Sequence, residues 1–493
     1  MQKYLWVNYL IAGSGCLNMI YSGYDGSLYS SFQVMDSWLS HFNHPSPYWI
    51  GMINTIPGIF GIVYSFFVAP VVNDWLGRKR SIFVAAVFNM ISAVIMTISP
   101  NLACFIIGRV MVTISVQQGS NSGPLLVSEL AHPKIRGKLI SFWQMFWSFG
   151  ALEAAGICLG TSYYPSLGNW QWRIPTLIQI VTPTMICVCV SFCPDSPRWL
   201  VAKNRIEEAR KSLERVRPED EVEPELREIE AAVLYEKEVT KGRYKQWFVN
   251  KSYLRRLGLV FGLYLGQQLG GMGILTQYSG IIYNSVFKSS TTDILLNFLN
   301  WALAVLYVLP ATFYVDKIGR RPLLLIGAIG QALAMFLVAT VVTQTPRLAN
   351  GDYKYGIGVA CVFFVFLYNL FYQFSWGCST WVVATEIFPL NVRAQGLAIS
   401  GNVESAVMTA LGLAFPTFLA NCGFYAFYFF MAVNVCNFIW VFLFLPETKN
   451  VSLEEMDHLF GGEDHGIAGQ MLLDQKVTGN SEHVENVQRE TKE

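Results

Sequence analysis

Charge is scarce in this chain. Of 493 residues only 14% are Asp, Glu, Lys or Arg, against about 25% in ordinary soluble domains, and 53% are apolar. A water-soluble multidomain protein does not fit that balance, because long apolar runs recur from Leu5 to Leu445 and leave little polar material between them. Basic excess is missing as well: 35 Lys and Arg stand against 34 Asp and Glu, for a formal net charge of +1. With no basic stripe, nothing points to nucleic acid as a partner. All six histidines (His41, His44, His132, His458, His465, His483) fall outside the apolar runs, so none can carry a proton inside a bilayer. The ten cysteines lie within or beside apolar segments without ligand-type spacing. Even the closest set, Cys187, Cys189 and Cys193, reads as small packing residues and not as a metal or disulfide site. No nucleophile and base constellation, metal set or phosphate loop is present, so neither an enzyme nor a cofactor is expected.

What the chain has is apolar length. A hydrocarbon core of about 30 Å takes about 20 residues per helix, and candidates lie near 5–25, 48–70, 81–99, 102–124, 138–161 and 174–193. The first run lacks a small-residue cleavage site and continues to Tyr21, so it reads as a span and not as a signal peptide. A charged stretch follows, and six further candidates lie near 254–283, 294–314, 322–343, 356–380, 394–419 and 424–445. The expected fold is therefore an all-α integral membrane protein of twelve transmembrane helices in two six-helix bundles. Its expected divisions are 1–198, a cytoplasmic helical linker domain over 199–252, 253–446, and a cytoplasmic helix with a disordered tail over 447–493.

Lys and Arg in short loops set orientation. The segment Gly26 to Pro47 has neither, whereas Arg78-Lys79-Arg80, Lys134 to Lys138 and Lys317 to Arg321 are basic. Both termini and the charged middle are expected in the cytoplasm, in a plasma-membrane protein that works as a monomer. Within 199–252, Ile206, Ala209 and Leu213 recur at helical spacing between charges, which predicts short amphipathic helices.

The two halves repeat each other. Asp74 precedes Arg78 by four residues and Glu129 precedes Arg136 by seven; Asp316 with Arg320 and Glu386 with Arg393 reproduce both spacings. A parallel six-span repeat with charges at the inner helix ends is the arrangement of a transporter whose halves rock about a midplane site. Carboxylates and arginines there can pair when the inner ends approach and must separate when they open. All eight are candidate gating residues.

Several runs make a family resemblance specific. Asp74-Trp-Leu-Gly-Arg-Lys-Arg80, Glu129 to Gly137, Pro194-Asp-Ser-Pro-Arg-Trp-Leu200, Gln267-Gln-Leu269, Asp316 to Arg321, Glu386-Ile-Phe-Pro389 and Pro446-Glu-Thr-Lys449 together resemble the sugar porter family of the major facilitator superfamily. Gly23-Tyr-Asp-Gly-Ser-Leu28 is similar to its fungal hexose and lactose permease-like members. The resemblance covers about residues 5–460 and implies the same twelve-helix fold with an intracellular helical domain.

Asp25 in span 1 and Arg109 in span 4 are ionisable groups at bilayer depth. Each costs at least about 2.5–3.5 kcal/mol there if unpaired, so they are expected to pair in the interior. The resemblance implies that Asp25 is a proton carrier whose protonation loosens the pair. A sugar needs planar amides for its hydroxyls and an aromatic face for its ring. Gln144, Gln267, Gln268 and Trp381 supply those chemistries, at positions where sugar porters contact substrate. Tyr278 matches one of two gate tyrosines, and Gln277 replaces the other. Gly258, Gly262, Gly266 and Gly270 form one glycine face for close helix approach, and Gly271 and Gly273 predict a break beyond it.

Departures limit the choice of cargo. Gly273 stands where hexose porters have an Asn, Glu404-Ser405 replaces an Asn-Trp pair, and Ala304 replaces an Asn for which Asn300, one turn away, can compensate. Cys378 and Thr380 replace prolines. Glu404 in a central cavity can accept hydroxyls, bind a cation or titrate; Glu153, about half a turn away from Gln144 on its helix face, is assigned no role. The leading expectation is a secondary active transporter of a sugar or sugar-like polyol, coupled inward to protons. Alternatives are a non-sugar metabolite transporter, including an exporter, and a nutrient receptor that moves no solute.

Overall fold

The computed structural model describes residues 2–130, 145–239, 251–345, 354–388, 393–449 and 460, and every regular element among them is helical. The first half contains α1 (Gln2–Phe32), α2 (Asp36–His41) and α3 (Pro47–Val63), which runs through a π turn into α4 (Ala69–Leu76). It continues with α5 (Arg78–Ile98), α6 (Leu102–Leu130), α7 (Met145–Ser162), α8 (Trp170–Ile178) and α9 (Val181–Phe192). Three helices stand between the halves: α10 (Pro197–Ala202), α11 (Ile206–Glu214) and α12 (Glu219–Val239). The second half holds α13 (Lys251–Leu269), α14 (Met272–Phe287), α15 (Ser290–Ile318), α16 (Arg320–Gln344) and α17 (Tyr355–Phe374). It closes with α18 (Trp376–Ile387), α19 (Arg393–Cys422) and α20 (Ala426–Phe444). The tail for which disorder is expected lies outside the described residues.

Nine helical stretches among the described residues are long and apolar enough to cross a bilayer, fewer than the twelve counted in the sequence. The difference has identifiable sources. Gln395–Phe444 is one such stretch but contains both α19 and α20. Ser14, Asn18, Ser22 and Asp25 dilute the hydropathy of α1, and α7 begins at the edge of the described residues. Large apolar side chains such as Phe67, Phe192, Leu306, Phe363 and Leu443 point outward from both halves, a surface suited to lipid and not to water.

Each half has its own core. One gathers around Trp38, Phe105 and Trp172, the other around Tyr264, Trp301 and Trp376. A third, smaller cluster joins Trp199 and Leu200 of α10 to Ala209 and Leu213 of α11 and Val222 and Leu226 of α12. The amphipathic reading of this segment needs one correction: Ala209 and Leu213 are buried, but Ile206 is 45% exposed. As the first residue of α11 it has no preceding turn to cover it.

The glycine face of α13 packs on α20. A Cβ on Gly262 would collide with the Trp440 ring, and one on Gly266 would stand 2.5 Å from Asn437 Oδ1. The same asparagine donates to the Gly266 carbonyl at 2.9 Å, and Asn434 donates to the Gly270 carbonyl at 2.9 Å. Gly258, at the exposed end, meets nothing within 4 Å. Gly266→Leu is therefore expected to destabilise the purified protein by about 1–3 kcal/mol through overpacking, while Gly258→Leu leaves its melting temperature unchanged. Equal melting temperatures for the two variants would remove this contact from the account.

Candidate functional site

In the first half α1 and α6 bring the two intramembrane charges together. Arg109 Nη1 donates to Asp25 Oδ1 at 2.6 Å, with the side chains 9% and 11% exposed. Gln179 Nε2 reaches the same carboxylate oxygen at 3.3 Å, and the guanidinium lies 5.5 Å from the centre of the Tyr29 ring. A charge-assisted bond of this length binds strongly where water is excluded. The buried Nε of Arg109 has no hydrogen-bond partner among the described residues.

In the second half the polar groups converge on α13, α17, α18 and α19. Gln268 Nε2 donates to Glu404 Oε1 at 2.7 Å across 136 residues of chain. Gln267 Nε2 donates to the Tyr372 hydroxyl at 2.8 Å and toward the Trp376 carbonyl at 3.4 Å. Tyr264, one turn before Gln268 on α13, stands edge-on to Trp381, ring centres 5.4 Å apart. Amides, phenols, an indole and one carboxylate thus share a site. Tyr264 and Tyr372 were not singled out in the sequence, where 23 tyrosines carry no mark of which will face the same space.

Other expected members lie elsewhere. Asn300 accepts from Asn369 Nδ2 at 3.0 Å and lines a small cavity with Met272, Thr276 and Tyr283, whose wall includes none of Gln267, Gln268, Trp381 and Glu404. Gln144 and Arg136 lie outside the described residues, as do the side chains of Asp316 and Arg393. Glu153 is exposed.

Two matching clusters occupy the face that carries the basic loops. Arg78 pairs with Glu129 at 3.0 Å, and Ser196 donates to the same carboxylate. Arg320 pairs with Glu386 at 2.8 Å, and Thr448 donates to that carboxylate at 2.5 Å. Ser196 and Thr448 belong to the tripeptides Pro194-Asp-Ser and Pro446-Glu-Thr, a duplication the sequence carries and the motif reading did not use. Glycine is required before each arginine helix: Gly77 has φ +81° and Gly319 φ +103°, a region that side chains disfavour. Glu447 caps the second of these helices, accepting from the backbone N–H of Arg320 at 3.0 Å and of Arg321 at 3.1 Å. Asp74 takes a different part: its carboxylate is exposed without an ion pair among the described residues, and its carbonyl accepts from Trp199 Nε1 at 2.9 Å. Buried Arg217 and Arg256, which the sequence reading passed over, extend the symmetry by donating to the Leu130 and Ile387 carbonyls, one residue beyond each motif glutamate.

On the opposite face the halves are clasped. α13 breaks at Gly271, φ +110°, and α14 is kinked again at Tyr278, φ −123° and ψ 16°. The Tyr278 hydroxyl donates to the Gly412 carbonyl at 2.6 Å and accepts from Asn54 Nδ2 at 3.2 Å. Gln33 Nε2 donates to the Gln277 carbonyl at 2.7 Å, and Asn297 reaches Ser30 and Ser31 at 3.2 and 3.1 Å. These bonds from Asn54, Gln33 and Asn297 tie the two halves together on this face.

Residues 13–460 match the family model for sugar (and other) transporters. A probable quinate permease of Aspergillus flavus is 29% identical over 96% of this chain and 92% of its own length. The sugar transport protein MST3 of Oryza sativa subsp. japonica is 30% identical over 86% of this chain and 81% of its own. Among solved structures, the proton:xylose symporter XylE bound to 6-bromo-6-deoxy-D-glucose superposes with TM-score 0.73 at 23% identity, covering 92% of this chain and 99% of that one. A partially occluded inward-open form of XylE from E. coli gives TM-score 0.75 at 23% identity, over 90% and 99%. At that identity the likeness establishes the major facilitator fold. The family model spans most of the chain, and the protein is a multi-pass membrane transporter of the sugar (and other) transporter family, not an enzyme.

Proposed function

We propose that this transporter moves a sugar or sugar-like polyol inward across the plasma membrane, coupled to protons through Asp25. The observation that carries the reading is the buried Asp25–Arg109 pair, a titratable group inside the bilayer with one strong partner to exchange for a proton. In this scheme residues 1–198 and 253–446 are the rocking bundles, 199–252 is the cytoplasmic linker, and both termini are cytoplasmic. Basic loops retained inside make the clasped face extracellular, so the described conformation is closed outside. Gln267, Gln268, Trp381 and Glu404 bind solute, joined by Gln144 and Asn300. Tyr278 gates the outside. Asp74, Arg78, Glu129 and Arg136, with Asp316, Arg320, Glu386 and Arg393, gate the inside. The working unit is a monomer.

The test is uptake of labelled polyols into vesicles carrying the purified protein, with an imposed proton gradient. Accumulation above the external concentration is expected, and collapsing the gradient with a protonophore should return it to equality. Accumulation that ignores the protonophore would refute coupling. A second reading keeps the fold and changes the cargo to a non-sugar metabolite. The relatives named as quinate permeases favour it, together with Gly273, Ala304 and Glu404 at positions where hexose porters carry amides.

A further inference from the structure

The site in the second half is rich in hydrogen-bond acceptors, and the orientation of its amides is fixed. Gln268 Nε2 donates to Glu404 Oε1 at 2.7 Å; a flipped amide would set two acceptors against each other. The Trp376 carbonyl, also acceptor-only, orients Gln267 in the same way. The remaining amide oxygens, Gln267 Oε1 and Gln268 Oε1, are buried without a hydrogen-bond partner among the described residues. Gly273 keeps the space beside the second of them clear, since a Cβ there would stand 2.7 Å from Gln268 Oε1. Glu404 is half-buried and pairs with no cation among the described residues. The intramembrane arginine of the other half is committed to Asp25, and Arg256, further down α13, donates to Ile387 and lies 5.0 Å from the Phe460 ring.

An ammonium group has three donors and no acceptor, a hydroxyl has both, and a carboxylate has acceptors alone. Aromatic faces also attract cations, and Tyr264, one turn before Gln268 on α13, packs edge-on against Trp381 in the same half. Resting on the polyol-transporter reading above, we infer that Glu404 makes this a site for a polyhydroxylated solute bearing a protonated amine, the amine lying against Glu404 and the amide oxygens. Anionic polyols, the chemistry of a quinate, are rejected because they would face a carboxylate and acceptors with no cation paired to them among the described residues.

A matched series tests this: 1-amino-1-deoxysorbitol, sorbitol and gluconate share one six-carbon polyol chain and end in a cation, a hydroxyl or an anion. Binding to the purified protein in detergent, where no gradient operates, should favour the amine over sorbitol at least tenfold and leave gluconate weakest. Glu404→Gln should bring amine and sorbitol within about twofold, whereas Gly258→Leu, at the exposed end of α13, should keep the amine preference. Equal binding of all three, or a preference for gluconate, overturns the charge inference and leaves the polyol reading standing; the wild-type panel decides this even if Glu404→Gln does not fold. An unchanged amine preference in a folded Glu404→Gln protein overturns the assignment to Glu404. Failure of all three to bind removes the polyol reading and this inference with it.

Discussion

Asp25→Asn is expected to abolish accumulation of solute while leaving exchange of internal for external solute within a few-fold of wild type. The amide has the size of the carboxylate and keeps an oxygen for Arg109 Nη1, now 2.6 Å away, but it cannot take a proton. Loading and reorientation survive; the link to the gradient does not. The magnitude follows from the driving force. One pH unit contributes about 1.4 kcal/mol and one charge moved through 100 mV about 2.3 kcal/mol, enough for more than a hundredfold accumulation, which should fall to about one in the variant. Counterflow in vesicles separates this from simple inactivity. Arg109→Ala should behave differently, because it strands a buried carboxylate at a cost of about 3–5 kcal/mol: low yield of folded protein is expected, with no exchange to measure. If Asp25→Asn still concentrated solute, the proton would have to travel by another group.

This pair was legible in the sequence because two lone charges in apolar helices have few ways to be satisfied, and the fold forced the simplest. The spans and the repeat were legible for a related reason: bilayer thickness imposes a length on every helix, and duplication preserves the spacing of charges. Partners drawn together only by packing were not legible. Nothing near Gln268 announces that its amide meets Glu404, and nothing in composition separates Tyr264 and Tyr372 from the other tyrosines. The serine and threonine that complete the two basic-face clusters were within reach, since Pro194-Asp-Ser and Pro446-Glu-Thr occupy equivalent ends of the halves. Asn300 is a case where spacing left the neighbours open. Its distance of one turn from Ala304 suggested compensation, but helix phase directs its side chain to Asn369 and a different cavity.

The clasp on the face opposite the basic loops yields the second large effect. Tyr278→Phe removes a hydroxyl that both donates to Gly412 and accepts from Asn54, and only the second of these bonds joins the halves. The bond to Gly412 ties α14 to α19 inside the second half and persists on opening, so only the Asn54 bond separates the two states. At about 0.5–1.5 kcal/mol for that bond, the ratio of closed to open should fall about 2–13-fold. The expected result is a protein that folds normally but populates the state open on this face. Tyr48 and Tyr425 are exposed at that face, 55% and 60%, one in each half. Spin labels on Tyr48→Cys and Tyr425→Cys, with exposed Cys422 and Cys436 replaced by serine, would report it as a longer-distance population that grows when Tyr278→Phe is added. Gln33→Leu provides an independent arm: it removes the bond to the Gln277 carbonyl without touching Tyr278 and should move the same distribution in the same direction. If neither substitution changes the distances, these bonds do not hold the face shut, and closure must rest on the Asn297 bonds to Ser30 and Ser31 and on the contact of α3 with α19, where Gly51 lies against the Leu413 backbone.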